Sequence, residues 1–334
     1  MKSRELIHQG SVKDIYEVDA QTLAFVHTNN WSAFDIGRCS QPIPEMGKAV
    51  VRATMASNRI ATAVGVQTCI LEQEDEWTIL VRRFNTLKGL ALNPGETDVM
   101  VSLEWIDREA VSGNLNRDFI SGKRKPTDFG FESDGSDKLP TEGTLLPFPS
   151  HEVTTKWEDV DRPIATTEEA LAYAGITLTE WRSVWRVINR LNGALALAAR
   201  SAGFTRLDGK KEIALSGRKR HPVVIDSFGT PNEDRYALTK TLKPGQVEHY
   251  SKEYLRQLLI EKGFKKALDI TRSHGLPNPK YPILTEDEIG EVGRRYRNFA
   301  AMYEAGVNRI LGSTCRAREI FDAGISQSAG ECIY

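Results

Sequence analysis

The chain has 334 residues, 40% of them apolar and 27% charged, enough to bury a substantial core and unlike collagen-like, disulfide-scaffold or low-complexity chains. Its 44 basic and 45 acidic residues leave a net charge of −1, so no whole-molecule field draws it to nucleic acid or an anionic membrane. Any anionic ligand must be caught by a local site.

The opening MKSRELIHQG is charged and no long apolar run follows, so neither a signal peptide nor a membrane span is expected. Cys39, Cys69, Cys315 and Cys332 lie too far apart for a zinc site or redox dithiol and read as reduced thiols of a cytoplasmic protein. Nothing in the sequence marks an oligomeric state.

From about Leu6 to Phe84 the pattern predicts a small sheet covered by one inserted helix. Ile15–Val18, Leu23–Thr28 and Thr78–Phe84 are β-branched or aromatic and bounded by turn residues, whereas Val50, Val51, Met55 and Ile60 recur with helical spacing within Gly47–Val64. Val99–Trp105 reads as a buried strand. Gly122–Pro149 is polar, rich in Gly and Pro and without periodicity, as in long functional or mobile loops.

Two helices are expected next. In the second, Thr177 and Glu180 form a capping box ahead of a core stripe, Trp181, Val184, Trp185, Ile188, Leu191 and Leu195, that Gly203 ends. Phe204–Leu207, Glu212–Leu215 and Val223–Ile225 read as three short strands, the last two joined by a basic, solvated turn at Gly217–His221. The end is helical: Tyr250–Lys262, then a capping box at Thr285 and Glu288 before Ile289, Val292, Tyr296, Phe299 and Tyr303. Three parts are expected, 1–85, 86–246 and 247–334.

Common phosphate and metal motifs are missing. Gly47-Lys48 runs into Ala49 and lacks the upstream glycine of a P-loop, G-x-G-x-x-G does not occur, and the six histidines have no paired spacing. Asp128-Phe129-Gly130 imitates a kinase tripeptide without a preceding His-Arg-Asp. What stands out is Asp208-Gly-Lys210-Lys-Glu212 followed by Pro222-Val-Val-Ile-Asp226. In a strand Asp208, Lys210 and Glu212 share a face, and Asp226 on a neighbouring strand adds a carboxylate. Two carboxylates and a lysine suit Mg²⁺ with a polyphosphate. A solvated, salt-bridged hairpin explains the same letters.

A family resemblance runs in order from Gly10 to roughly Tyr303. Gly10-Ser-Val-Lys13-Asp-Ile-Tyr16 resembles the opening G-K-A/V-K/R-x-I/V-Y hairpin of the SAICAR synthetase family, and Trp31-Ser-Ala-Phe-Asp35 with Ile43-Pro-Glu-Met-Gly47 resembles its S-A-F/Y-D and I-P-x-K-G segments. Leu103-Glu104 with Arg108, Gly113 and Asn114 is similar to L-E-V-x-x-R-x-x-x-x-G-S, and Thr154-Thr155-Lys156 with Asp161 to S-T-K-A-E and the H-D beyond it. Asp208-x-Lys210-x-Glu212 matches D-x-K-x-E. Asp226 with Thr230-Pro231 and Arg235 matches D-E-x-x-S/T-P-D-S-x-R, and Lys252 with Arg256 fits D-K-x-x-x-R.

The resemblance implies an α+β fold with an N-terminal antiparallel sheet, a central α/β part, C-terminal helices and ATP in the cleft between the first two. It implies a ligase of purine biosynthesis that joins the carboxylate of an aminoimidazole ribonucleotide (CAIR) to the amine of aspartate through an acyl phosphate, with ATP and Mg²⁺. In this reading Gly10, Ser11, Val12 and Lys13 cover the nucleotide phosphates, and Glu212 and Asp226 hold the metal. Lys210 neutralises the forming acyl phosphate, with Asp208 and Asp161 placing the imidazole carboxylate. Arg108 and Arg256 take the ribonucleotide phosphate; Asp35, Asn114, Lys156, Arg235 and Lys252 are further substrate contacts.

Several positions depart from the pattern: Ser11 for lysine, Asn114 for serine, Ser227 for an acid, Ser251 for aspartate, and Asn232-Glu233-Asp234 where the family has D-S-x. Acids at 233 and 234 would repel an anionic group or accept a cationic one. Three alternatives stay open at this point: a paralogue using a related azole nucleotide or another amine, a phosphotransferase, and a nucleotide-binding protein without catalysis.

Overall fold

The computed structural model describes residues 4–133, 138–158 and 161–312. The fold is α+β, built on two antiparallel five-stranded sheets. The N-terminal sheet contains β1 (Glu5–Gln9), β2 (Lys13–Glu17), β3 (Thr22–His27), β4 (Ile70–Gln73) and β5 (Thr78–Arg82) in the order β1-β2-β3-β5-β4. β1 is exposed throughout and β4 buries only Ile70, so neither carries the alternation that marked the other three. A tight turn joins β1 to β2. There the Gly10 N–H donates to the Lys13 carbonyl at 2.9 Å, and a Cβ on Gly10 would lie 2.6 Å from that oxygen, so the turn requires glycine.

α1 (Met46–Ala63) is inserted between β3 and β4. It was expected to cover the small sheet; its larger packing partners are instead helices from later in the chain. Helical spacing shows which face of α1 is buried but not what it meets.

The central sheet contains β6 (Val99–Ala110), β7 (Leu145–Thr155), β8 (Phe204–Ser216), β9 (His221–Ile225) and β10 (Asp234–Leu238), ordered β10-β8-β6-β7 with β9 also on β8. The two short strands expected at Phe204–Leu207 and Glu212–Leu215 are one 13-residue strand. The polar Asp208–Lys211 stretch stays extended because β6 and β10 take up its backbone and, as described below, its charges find partners. At Gly209 a Cβ would meet Arg206 at 2.3 Å and Asp234 at 2.4 Å. The register slips between Arg235↔Asp208 and Tyr236↔Arg206, leaving Leu207 as an extra residue that turns Arg206 to the opposite face from Asp208.

That opposite face is covered by α4 (Leu178–Ser201), which follows the short α3 (Thr167–Ala174). Trp105 of β6 packs against Trp181 and Trp185 of α4 at ring-centroid distances of 4.8 and 5.1 Å. α7 (Glu286–Leu311) lies across α1 and α4, and its Phe299 and Tyr303 join the same core. Both expected capping boxes, Thr177 with Glu180 and Thr285 with Glu288, are formed. A second core gathers Trp31, Ile43 and Met46 with α5 (Lys252–Glu261), α6 (Phe264–Ser273) and α7.

Part of the Gly122–Pro149 stretch has regular structure and a small core that its composition does not predict. β7 begins within it, and Phe129 packs with Val111, Leu115, Phe119 and Leu146 around α2 (Asn114–Ile120). Cys39 and Cys69 are free and buried, while Cys315 and Cys332 lie outside the described residues. No helix among the described residues is long and apolar enough to cross a membrane.

Candidate active site

The sheets are stitched at β9: the Cys69 N–H donates to the Val224 carbonyl at 2.8 Å, and the Val224 N–H donates to that of Gln67 at 3.0 Å. Two residues beyond Val224, Asp226 has a left-handed backbone, φ 62°, and meets Lys13 of β2 in an ion pair between the sheets. Lys13 also lies 4.6 Å from the centre of the Phe25 ring. Burial pushes Asp226 up, but the charge and hydrogen bond of Lys13, aided by the Ser227 N–H, outweigh it and hold the carboxyl down at about 2. The adjoining His27 is pushed down to about 4, first by burial and then by Lys13, and its Nε2 lies 3.3 Å from Ser227 Oγ.

Beside Asp226, on the open face of the central sheet, Glu104 of β6 stands directly opposite Glu212 of β8. Lys156, just past β7, donates to Glu212 at 2.7 Å and to Glu104 at 3.2 Å; Lys210 donates to Glu104 at 2.8 Å. Burial raises Glu212, Asp226 and Glu104 raise it further, and the two lysines pull it back. Glu212 and Asp226 are therefore half-buried, mutually repelling carboxylates balanced by lysines that other cations can replace. This donor set fits Mg²⁺, which takes one or two protein carboxylates and completes its shell with phosphate and water.

Further along the same face Asp208 is only 3% exposed, and its Oδ2 accepts from Arg108 at 3.0 Å, Ser112 at 2.6 Å and Arg235 at 2.7 Å. Asp208, expected to help place a substrate carboxylate, is thus a buried anchor of two arginines. Glu253 repeats the device, accepting from Arg235 at 2.8 Å and Arg256 at 3.1 Å. Gly113, φ 54°, lets Arg235 lie against the backbone, since a Cβ would fall 2.6 Å from its guanidinium. Arg108 is also held by Glu152, which Arg124 engages in turn. The result is three arginines fanned toward one region by buried acids, a preorganised receptor for an oxyanion.

The remaining expected residues divide. Lys252 opens α5 beside Arg256, and burial together with the charges of Arg256 and Lys210 pushes it down to about 8, against Glu233 and Asp35. Asp35, exposed with φ 56°, thus belongs to the same neighbourhood. Asp161 is exposed and raised by burial and by Glu104, which puts it toward the Lys156 end, away from Asp208. Lys156 itself sits with the metal-type carboxylates, not with the arginines. Asn114 is exposed and accepts from Arg117 instead of joining them. In the β1–β2 turn Arg38 donates to the Gly10 carbonyl at 2.9 Å and Thr28 Oγ1 to that of Val12 at 3.1 Å, with Ser11 between them.

A sequence model of the SAICAR synthetase family matches residues 6–270. The phosphoribosylaminoimidazole-succinocarboxamide synthase of Thermoplasma acidophilum is 33% identical over 308 residues, covering 92% of this chain and 99% of that one. The chain belongs to the SAICAR synthetase family. The SAICAR synthase from Saccharomyces cerevisiae, solved with SAICAR, has the same fold with a TM-score of 0.64 at 20% identity, covering 93% of this chain and 95% of that one. A SAICAR synthetase in complex with ADP superposes with a TM-score of 0.59 at 20% identity, over 84% of this chain and all (100%) of that one.

Within the SAICAR synthetase frame three of the departures, Ser251, Asp234 and Asn232, acquire local explanations. Ser251 caps α5, its hydroxyl accepting from the Glu253 N–H, a task serine and aspartate perform alike. Asp234 is fully buried on the far face, bound by Arg206 at 2.6 Å and Lys211 at 3.1 Å, so it does not reach the site at all. Asn232 accepts from Tyr296 at 2.8 Å. Glu233, unlike Asn232 and Asp234, lies beside a site lysine, 3.5 Å from Lys210 Nζ.

The sequence reading also passed over residues that matter. Glu104 was quoted within a motif without a role, yet it holds both site lysines; its spacing of four from Arg108 on one strand already placed the two on one face. Glu253, Ser112 and Glu152, which aim the arginines, had no such signal, because they meet their partners only through the fold.

Proposed function

We propose that this member of the family works as an ATP-dependent ligase in the cytoplasm, joining the carboxylate of CAIR to the amine of aspartate to give SAICAR, ADP and phosphate. The observation that supports this most strongly is the continuity of one sheet face, where a lysine-balanced carboxylate pair adjoins an acid-anchored arginine cluster. Such a face suits a metal-bound polyphosphate beside a phosphorylated, carboxylate-bearing substrate. Of the three parts 1–85, 86–246 and 247–334, the first would cover the ATP, the second carry the reacting groups and α5 of the third close the substrate end.

In this reading Lys13 exchanges its contact with Asp226 for the ATP phosphates, and the Gly10–Lys13 turn lies over them. Glu212 and Asp226 would hold Mg²⁺, which supplies charge neutralisation on the phosphate oxygens. Arg108, Arg235 and Arg256 bind the 5′-phosphate and orient the nucleotide so that its carboxylate faces the γ-phosphoryl group. A carboxylate oxygen attacks that phosphorus, ADP leaves with the electron pair of the broken bond, and Lys210 offsets the negative charge crowded at the new acyl phosphate. Asp208 acts through the arginines it holds, Lys156 keeps Glu212 ionised, and Asp161, Asp35 and Lys252 border the entrance of the second substrate. The amine then attacks the acyl carbon and phosphate departs, with no protein nucleophile needed.

Purified protein incubated with ATP, Mg²⁺, CAIR and a panel of amines tests this directly by mass spectrometry. Aspartate should give SAICAR and the other amines little or no product. An amide formed with a different amine and none with aspartate would overturn the substrate pair while leaving the ligase class standing.

A further inference from the structure

Three consecutive polar side chains, Asn232, Glu233 and Asp234, lead into β10, and two are spent: Asn232 on Tyr296, Asp234 on Arg206 and Lys211. Glu233 is different. Its side chain is 21% exposed, and among the described residues its carboxylate is ion-paired only with Lys210, at 3.5 Å, longer than a good hydrogen bond. Lys210 is shared between two acids, since Glu104 accepts from the same ammonium at the shorter distance of 2.8 Å. The turn holds Glu233 in place, with its N–H donating to the Thr230 carbonyl at 3.1 Å and its carbonyl accepting from the Lys210 N–H at 3.2 Å. A half-buried carboxylate held by one long ion pair to a shared lysine keeps accepting capacity for a ligand's donor.

Lys252 is its complement. Its ammonium makes no recorded hydrogen bond or ion pair among the described residues, and Glu233 is one of the two charges that favour its protonated form. The Lys252 N–H donates to the Pro231 carbonyl at 2.8 Å, tying the start of α5 to the turn that carries Glu233. A loosely paired anion and a cation without a side-chain partner among the described residues, on segments tied to each other, suit a zwitterion.

We propose that Glu233 receives the ammonium group of the amino-acid substrate while Lys252 takes one of its carboxylates. The assignment rests on the ligase reading and deepens it. It makes Glu233 a specificity-determining residue that selects an α-amino dicarboxylate over the same dicarboxylate without the amine, and keeps the nitrogen near Lys210, where the acyl phosphate forms, so that it attacks once the ammonium has given a proton to solvent. The second acid noted in the sequence, Asp234, has no part in this selection.

The test compares aspartate as substrate with succinate as competitive inhibitor, in the full-length wild-type enzyme and in E233Q, with CAIR, ATP and Mg²⁺ present. Losing a charged hydrogen-bond partner should raise KM for aspartate about tenfold to a hundredfold. Succinate, relieved of a repelling charge, should inhibit E233Q as well as or better than wild type, and KM for CAIR and ATP should not move. E233S should show the same inversion, and unchanged KM values for the nucleotides certify that each variant is folded. Equal losses for aspartate and succinate, or no change in either, would overturn the Glu233 assignment while an active wild type keeps the ligase reading. A wild type that forms no product from aspartate would overturn both.

Discussion

Lys13, in the second strand of the N-terminal sheet, is ion-paired with Asp226, just past the end of β9 in the central sheet. The pair spans the cleft assigned to ATP, so nucleotide entry must replace a protein ion pair with contacts to phosphate. Lys13→Met should therefore raise KM for ATP about tenfold or more, as expected for a lost charged contact, and leave KM for aspartate unchanged. Initial rates at varied ATP and then varied aspartate check this.

The metal assignment makes a stronger demand. Glu212→Gln and Asp226→Asn each keep side-chain shape while removing charge, and each should lower kcat by about a hundredfold or more. Circular dichroism should remain that of wild type, and the Mg²⁺ concentration for half-maximal rate should rise. Near wild-type turnover in both variants would remove these residues from the metal site.

Arg108→Lys retains a positive charge but cannot reproduce the fork that engages Asp208 and Glu152 together. KM for the nucleotide substrate should rise about tenfold. ATP affinity measured by calorimetry should stay as in wild type; a collapse of ATP binding instead would move this arginine to the other ligand.

How far the sequence discloses this site depends on the type of contact. Asp208, Lys210 and Glu212 share a face because strand parity dictates it, and Thr177, Glu180, Thr285 and Glu288 announce their helices through local chemistry. Leu207 breaks that parity. No local pattern reveals the extra residue there, so Arg206 and its buried partners Asp107 and Asp234 are invisible until the register of β10 is known. In the same way, residue type alone could not separate Glu233 from Asp234, since one faces the cleft and the other the core only because of how β10 pairs with β8.

The buried network behind the sheet also carries a pH signature. Glu109, 2.9 Å from Arg206, is raised from 4.5 to about 7, chiefly by burial and against the pull of Arg206, with Asp107 adding to the rise. In the unfolded chain the carboxyl loses its proton from about pH 4.5, whereas in the fold it keeps it to about 7. Its contribution to stability is therefore full below 4.5 and lost as pH rises through 7, about 3 kcal/mol in all. Glu109→Gln should abolish this slope, so its stability relative to wild type should improve by about that amount between pH 4 and pH 8 in urea denaturation.

The account turns on activation of a substrate carboxylate by ATP, and isotope transfer measures that step most directly. With CAIR carrying ¹⁸O in its carboxylate, each molecule of SAICAR formed from aspartate should be matched by one molecule of inorganic phosphate that has gained a single ¹⁸O from the acyl phosphate. Product accompanied by unlabelled phosphate, or phosphate released at the same rate without CAIR, would contradict it.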